Sequence, residues 1–399
     1  MNMRYLVLPF AFIALMGHAQ WQQLPDFPGT PRDDAAAFAI GADVFVGTGK
    51  EADSLLTNDW YRFDGDLWQW SQIAALPATP RHYCSAFALT DPDDDYGYLF
   101  GGLDDTGPLN ELWRYDPMTN TWTQMSSLPG EPRHAAVAFD GGYIATGLLA
   151  DSTATNELWK YDPVTDSWEQ LASLPGTSRH RACGAELLGR TIIGGVDGNN
   201  TILSDCWTYD ATTDSWSDCV SLPEGRYSAM CGFAGYDDLL IGGSINDSTI
   251  VETGFKWNLT SWLPSGDPHP GGTRRGGIMV GPTENSAGGW DTYLGLGLSN
   301  DGMRHNDWYV TGGAFSVNEL SMGKVAVHPN PTSGALWIEM PEQWANAECI
   351  VYDGIARAVT KTRVMRGSPI DLESLSAGRY DLVISYGNER KRASVIKLP

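Results

Sequence analysis

Six arginines recur at intervals of 46 to 52 residues: Arg32, Arg81, Arg133, Arg179, Arg226 and Arg275. A histidine follows three of them, His82, His134 and His180, while Asp33 and Tyr227 hold that place after the first and fifth. A guanidinium offers planar, forked donors that match a carboxylate or a sulfate. Gathered into a ring, these side chains would make a basic collar able to grip an acidic group. The same arginines could instead bond nearby backbone carbonyls and serve the fold alone. Both readings stay open at this level.

Other chemistry is harder to find. Gly47-Thr48-Gly49 and Gly295-Leu296-Gly297 lack the strand, turn and helix that a phosphate cradle needs. No C-x-x-C is present and no pair of histidines sits at helical spacing, so neither a zinc site nor any other cofactor is expected. Asp91-Pro-Asp-Asp-Asp95 crowds hard oxygens that could hold calcium, but crowded carboxylates on a solvated loop are commoner.

The elements that would position such a collar are legible as a repeat. Glu111–Trp122 reads ELWRYDPMTNTW and returns as ELWKYDPVTDSW at Glu157–Trp168 and DCWTYDATTDSW at Asp205–Trp216. Looser copies cover Asn58–Trp70 and Gly254–Trp262. Alternate large apolar residues mark a strand with one buried face, Asp-Pro starts a tight turn, and Thr-Trp resumes a strand. Each copy is therefore a β-hairpin. A period near 50 residues calls for a propeller or an array. Before each hairpin a strand runs into glycine, as in LFGG at Leu99–Gly102, IIGG at Ile192–Gly195 and LIGG at Leu240–Gly243. A Leu-Pro segment then leads to the next arginine.

Arginine, then Gly-Gly, then Tyr-Asp-Pro and Trp, then Leu-Pro resembles the kelch repeat. The resemblance implies an all-β fold, a six-bladed propeller over residues 20–310 with four strands per blade. The sixth repeat ends at Asn306–Val310 without its outer strand, and Trp21-Gln-Gln-Leu24 looks like the missing piece, so the N-terminal strand is expected to close the last blade. The repeated Trp and Tyr would fill the seams between blades. Being one per blade at the start of the first strand, the repeat arginines would circle the mouth of the central channel. The candidate ligand-binding residues are then Arg32, Arg81, His82, Arg133, His134, Arg179, His180, Arg226 and Arg275. Asp53-Ser-Leu, Asp151-Ser-Thr and Asp247-Ser-Thr, on loops after glycine pairs, resemble the acceptor tripeptide of Bacteroidetes O-glycosylation.

The ends of the chain read differently. Arg4, the apolar run Tyr5–Met16 and the small residues around Ala19 fit a signal peptide over residues 1–19, too short to span a bilayer. After a linker at 311–322, residues 323–399 carry PNPTSG, IDLESLSAGRY and a basic final strand at Lys391–Lys397. These resemble the C-terminal sorting domain of the type IX secretion system of Bacteroidetes, expected as a small β-sandwich. The resemblance implies that the secretion machinery is a partner and that the product is secreted or held on the outer surface. The formal charge is −23, of which −25 falls before Met322 and +2 from it onward. So acidic a surface excludes a nucleic-acid footprint.

Six cysteines in an exported chain can pair. If Asp210 faces Ser215 across its turn, Cys206 faces Cys219 across the same hairpin, and a disulfide is expected there. Cys183 and Cys231 each lie 11 residues before a glycine pair, and that equivalence does not by itself bring them within bonding distance. The function expected is a binding module for a glycan or protein ligand, with no catalytic residue assigned. Two alternatives are a sugar-active enzyme of the sialic acid mutarotase type and a calcium-assisted adhesin. The first needs an acid/base pair at the channel mouth, and the sequence places no carboxylate firmly there. The copper ligands of a galactose-oxidase type cannot be assembled from this chain.

Overall fold

A computed structural model describes residues 21–398 except 92–93, 186–188, 235–236, 258–259, 266–267, 285–289, 314–324, 342–343, 345, 353–357 and 387–388. The signal-peptide segment and positions 314–322 of the linker lie outside the described residues. The architecture is all-β; among the described residues the sole helical element is a 3-10 turn at Ala52–Ser54.

Up to Gly313 the chain forms six four-stranded antiparallel sheets, each from one repeat. The second is representative: Ser85–Asp91, Asp94–Phe100, Leu112–Asp116 and Thr121–Met125. The sixth takes Ile278–Glu284, Trp290–Gly295 and Trp308–Gly313 from the end of the repeats, and Gln22–Gln23 as its outer strand. Gln22 pairs with Val310 and Gln23 with Tyr309. The last strand of the propeller continues to Gly313, three residues into the segment read as linker, because Thr292, Asp291 and Trp290 pair with those residues.

The first strand of every sheet packs against those of the sheets before and after it, and the sixth meets the first. Five of these strands enclose a cavity of about 200 Å³ lined by small residues, among them Ala35, Ala86, Ala182, Gly184 and Gly277. This is the channel.

The repeat residues have separate duties in the seams. Tyr115, Tyr161 and Tyr209 donate to Asn120, Asp166 and Asp214 five residues on. Each of those acceptors also takes a backbone N–H from the preceding sheet, at Ala74, Ser126 and Ala172. Trp122, Trp168 and Trp216 return an indole hydrogen bond to the carbonyls of the same three residues, at 2.7–3.0 Å. Trp70 and Trp262 do likewise to Pro25 and Val220. Tyr, Asn/Asp and Trp thus form a two-way staple between neighbouring blades, with the tyrosine rings buried and the indoles half-buried in the seam.

The glycine pairs close the structure on its inner side. The N–H of the second glycine, or its equivalent, bonds the carbonyl of the next blade's arginine: Gly49 to Arg81, Gly102 to Arg133, Gly147 to Arg179, Gly195 to Arg226, Gly243 to Arg274 and Gly297 to Arg32. Gly102 holds φ at 97°, and a Cβ there would come 2.9 Å from the His82 carbonyl oxygen.

The C-terminal region pairs Val327–His328, Ala335–Ile338 and Ile370–Asp371 in one sheet and Ala358–Met365, Asn346–Tyr352, Gly378–Tyr386 and Glu389–Lys397 in another. Leu336 and Ile338 share a core with Cys349, Val351, Leu382, Ile384 and Val395. In the strand Ala358–Met365, Thr, Lys and Arg interrupt the apolar run.

Candidate functional site

The arginine layer is buried and paired. Arg32, Arg81, Arg133, Arg179, Arg226 and Arg274 are each at most 3 % exposed. Arg32 forks onto Asp59 at 2.6 and 3.1 Å, and Arg179 onto Asp205 at 2.7 Å twice. Arg81 meets Glu111, Arg133 meets Glu157 and Arg274 meets Asp307. Arg226, whose blade has Thr253 where the others carry an acid, turns to Glu224 instead. The Nε atoms of Arg32, Arg81, Arg133 and Arg179 donate to the carbonyls of Thr30, Thr79, Glu131 and Thr177. Against the cost of burial, hydrogen bonds from Trp159 and Arg133 hold the Glu157 carboxyl below its usual range, and those from Arg179 and Trp207 do the same for Asp205.

The sixth member of this layer is Arg274, not Arg275. Arg274 supplies the carbonyl that Gly243 bonds and the guanidinium that Asp307 accepts. Arg275 pairs with Leu298, as His82 pairs with Leu103 and His180 with Val196. It therefore stands in the histidine layer, with Asp33, His82, His134, His180 and Tyr227. Two adjacent arginines made the assignment ambiguous in the sequence.

One residue further on lies a third layer: Asp34, Tyr83, Ala135, Arg181, Ser228 and Gly276. All six have φ between 50° and 58°. Each N–H bonds the carbonyl of the blade before it, from Asp34 to Gly276, then Gly276 to Ser228, Ser228 to Arg181, Arg181 to Ala135, Ala135 to Tyr83 and Tyr83 back to Asp34, at 2.7–3.0 Å. This closed ring of hydrogen bonds rims the cavity, whose lining starts at the next residues, Ala35, Cys84, Ala182, Ala229 and Gly277.

The side chains at the rim form one cluster. The Arg181 guanidinium lies 4.7 Å over the ring of Tyr83, and Tyr83 is 4.3 Å from the ring of His82 and 5.7 Å from that of His134. The Asp34 carboxylate is 3.9 Å from His82 Nδ1. Burial, reinforced by Asp33, raises the Asp34 carboxyl to about 7 although Arg181, Tyr83 and Arg275 pull it down. Burial and nearby cations push His82 to about 3 and His134 and His180 to about 4, so all three are neutral. Arg181 Nε and the Nδ1 atoms of His82, His134 and His180 are buried without a hydrogen-bond partner. Arg304 ties to Asp33, and Lys50 pairs with the same residue's backbone.

Of the residues singled out from the sequence, the structure thus brings His82, His134, His180 and Arg275 to the rim and sets Arg32, Arg81, Arg133, Arg179 and Arg226 behind them. Asp34, Tyr83 and Arg181 were missed. The signal was there in a negative form: this position, two after each arginine of the layer, changes type in every repeat while the next is always small, Ala, Cys or Gly. Cys206 and Cys219 face each other in register and are bonded. Cys183 and Cys231 are also bonded, with Cα atoms 6.0 Å apart, joining the inner strands of two adjacent blades. Equivalent positions on neighbouring inner strands converge on the channel, so this pair does come within reach. Asp91–Asp95 includes residues 92 and 93, which lie outside the described set.

Family comparisons agree with this architecture. Residues 12–185 match the KLHDC2/KLHL20/DRC7 Kelch-repeats domain, residues 192–223 the Kelch motif, and residues 326–397 the secretion system C-terminal sorting domain. Kelch-like protein 35 of Homo sapiens is 31% identical over 135 residues, which are 33% of this chain and 21% of that protein. The Mus musculus protein is 31% identical over 135 residues, 33% and 22% of the two chains. The match therefore spans about a fifth of those relatives. The solved structure of YjhT superposes with a TM-score of 0.61 at 17% identity, covering 72% of this chain and 96% of that one. The sorting tail implies export to the cell surface or the extracellular space. Among the described residues no helix is long and apolar enough to cross a membrane.

Proposed function

We propose that this chain, a kelch-repeat propeller joined to a C-terminal secretion sorting domain, is an exported binding module whose channel mouth takes an acidic, hydroxyl-rich ligand, a glycan or a protein surface. The observation that carries the reading is the orphaned, buried Arg181 Nε beside three neutral imidazoles with unused Nδ1 atoms. A buried polar atom without a partner costs free energy that an incoming ligand oxygen would recover. The guanidinium supplies charge for a carboxylate, and neutral imidazoles both donate and accept toward hydroxyls. The deeper arginines act as scaffold, five of them neutralised by an acid of their own blade and Arg226 by Glu224 just before it. A glycan-array screen of the full chain tests this. Binding confined to carboxylated glycans and lost in Arg181→Gln is expected; binding indifferent to Arg181 would overturn it.

A second reading, a sugar-active enzyme, is favoured by Asp34. A carboxyl raised to about 7 by burial and lying 3.9 Å from His82 Nδ1 has the properties of a general acid or base. Acceleration of anomer exchange in a reducing sugar acid, abolished in Asp34→Asn, would select this reading over simple binding.

A further inference from the structure

Behind the rim the channel has a polar wall made of apolar residues. The first strand of each of the six sheets is an edge strand, and among the described residues no strand pairs with its inner edge. An uncovered strand edge presents N–H and C=O groups. The blades converge at the axis, so the residues there are small. Ala35, Ala86, Ala182, Gly184, Ala229 and Gly277 therefore leave backbone facing the cavity of about 200 Å³. The Ser85 hydroxyl already bonds the Ala136 carbonyl of the neighbouring inner strand at 2.9 Å. A hydroxyl is thus a group that this wall accepts. The entrance above it is narrow. Its six residues, from Asp34 round to Gly276, are joined blade to blade by backbone hydrogen bonds. Backbones bonded in this way lie roughly 4.8 Å apart, which puts the six Cα atoms on a circle about 10 Å across. Carbon contact distances of about 3.8 Å leave about 6 Å of that free. An extended chain passes such an opening, whereas a pyranose ring stops at it. Ala135 and Gly276 add little bulk there, and Arg181 stands on the same ring with its Nε buried and unpartnered.

We infer that mouth and channel take one ligand between them, an open-chain polyhydroxy acid whose carboxylate meets Arg181 and whose chain passes the ring into the cavity. This rests on the anion-binding reading of the channel mouth. Chain hydroxyls donate and accept, so they replace channel water against N–H and C=O alike. A hydrocarbon chain of the same length would displace that water and return no hydrogen bond, leaving polar backbone unsatisfied. The wall therefore separates this ligand from a fatty acid. The ring separates it from a cyclic sugar acid, which reaches Arg181 but gains nothing from the channel.

Calorimetric titration of the full chain with five acids at one pH tests this. Glycolate, glycerate and gluconate lengthen the polyhydroxy chain, hexanoate matches gluconate in carbon number without hydroxyls, and glucuronate carries its hydroxyls on a closed ring. Affinity should rise from glycolate through glycerate to gluconate, by about tenfold or more in all. Hexanoate and glucuronate should bind no tighter than glycolate, and Arg181→Gln should lose all five. Gluconate no tighter than glycolate, or matched by hexanoate or glucuronate, would overturn the inference and leave the anion-binding reading standing. No binding of any acid, or binding that survives Arg181→Gln, would overturn both.

Discussion

Arg181, on the fourth blade, lies 4.7 Å over the ring of Tyr83, on the second, and the blade between them contributes only Ala135 to the same ring of hydrogen bonds. Two residues earlier, Arg179 is wholly buried and forks onto Asp205. One short segment, Arg179-His180-Arg181, thus carries both kinds of arginine. The first faces into the blade and the last reaches across the channel.

That division predicts opposite responses to the same substitution. Arg179→Gln removes a wholly buried guanidinium and strips the half-buried Asp205 carboxylate of its partner, and should cost roughly 1.5–3 kcal/mol of stability. Arg181→Gln removes a stacking contact at the rim and should cost at most about 1 kcal/mol. Denaturant unfolding of the two variants measures the contrast, and equal losses would refute the split.

Stability should fall on acidification from about pH 6.5 toward 4. His82, His134 and His180 have folded pKa values pushed below their ordinary 6.5, so the unfolded chain binds more protons in that window. Their contribution is present above pH 6.5 and is lost as pH drops toward the folded values. Asp34, raised to about 7, works the other way, its contribution being complete below its ordinary 3.8 and lost as pH rises through 7. Three histidines outweigh one carboxyl. Replacing all three with Gln should flatten the slope of the unfolding midpoint with pH without abolishing it, because His269 and His305 are depressed as well.

The two disulfides should contribute unequally. Cys206–Cys219 closes 13 residues and Cys183–Cys231 closes 48. By chain entropy these stabilise by about 3 and about 4 kcal/mol. Cys183→Ala with Cys231→Ala should therefore lower the unfolding midpoint more than Cys206→Ala with Cys219→Ala. The reverse order would show that joining two blades at the channel adds less than clamping one hairpin.

The staples between blades can be tested one bond at a time. Trp168→Phe keeps most of the half-buried ring but loses the hydrogen bond to the Ser126 carbonyl. A cost of about 1 kcal/mol is expected, rising when the carbonyl cannot find water. A loss several times larger would mean that shape, not the hydrogen bond, holds the seam.

Much of the scaffold was readable because it repeats. Tyr, Asp-Pro and Trp recur since every seam needs the same staple, and glycine recurs since the next arginine's carbonyl approaches the backbone at the same place in each blade. The partners of the arginines were visible as Glu111, Glu157 and Asp205, the first residues of the hairpin motif, but nothing in one dimension shows that they fold back onto an arginine 24 to 30 residues upstream. The rim was illegible for a different reason. Asp34, Tyr83 and Arg181 share a structural position but no residue type, and their contact is made across the channel, between blades far apart in sequence. Periodicity finds what is the same in every blade, whereas a binding site is made from what differs.

On this reading ligands meet the third layer at the channel mouth, around Arg181. Histidine imidazole NMR of the full chain, titrated with acetate, tests it most directly. The resonances of His82, His134 and His180 should shift together and saturate, while those of His269, His305 and His328 stay in place, and Arg181→Gln should abolish the response. Shifts confined to the other histidines, or the same shifts in Arg181→Gln, would contradict it.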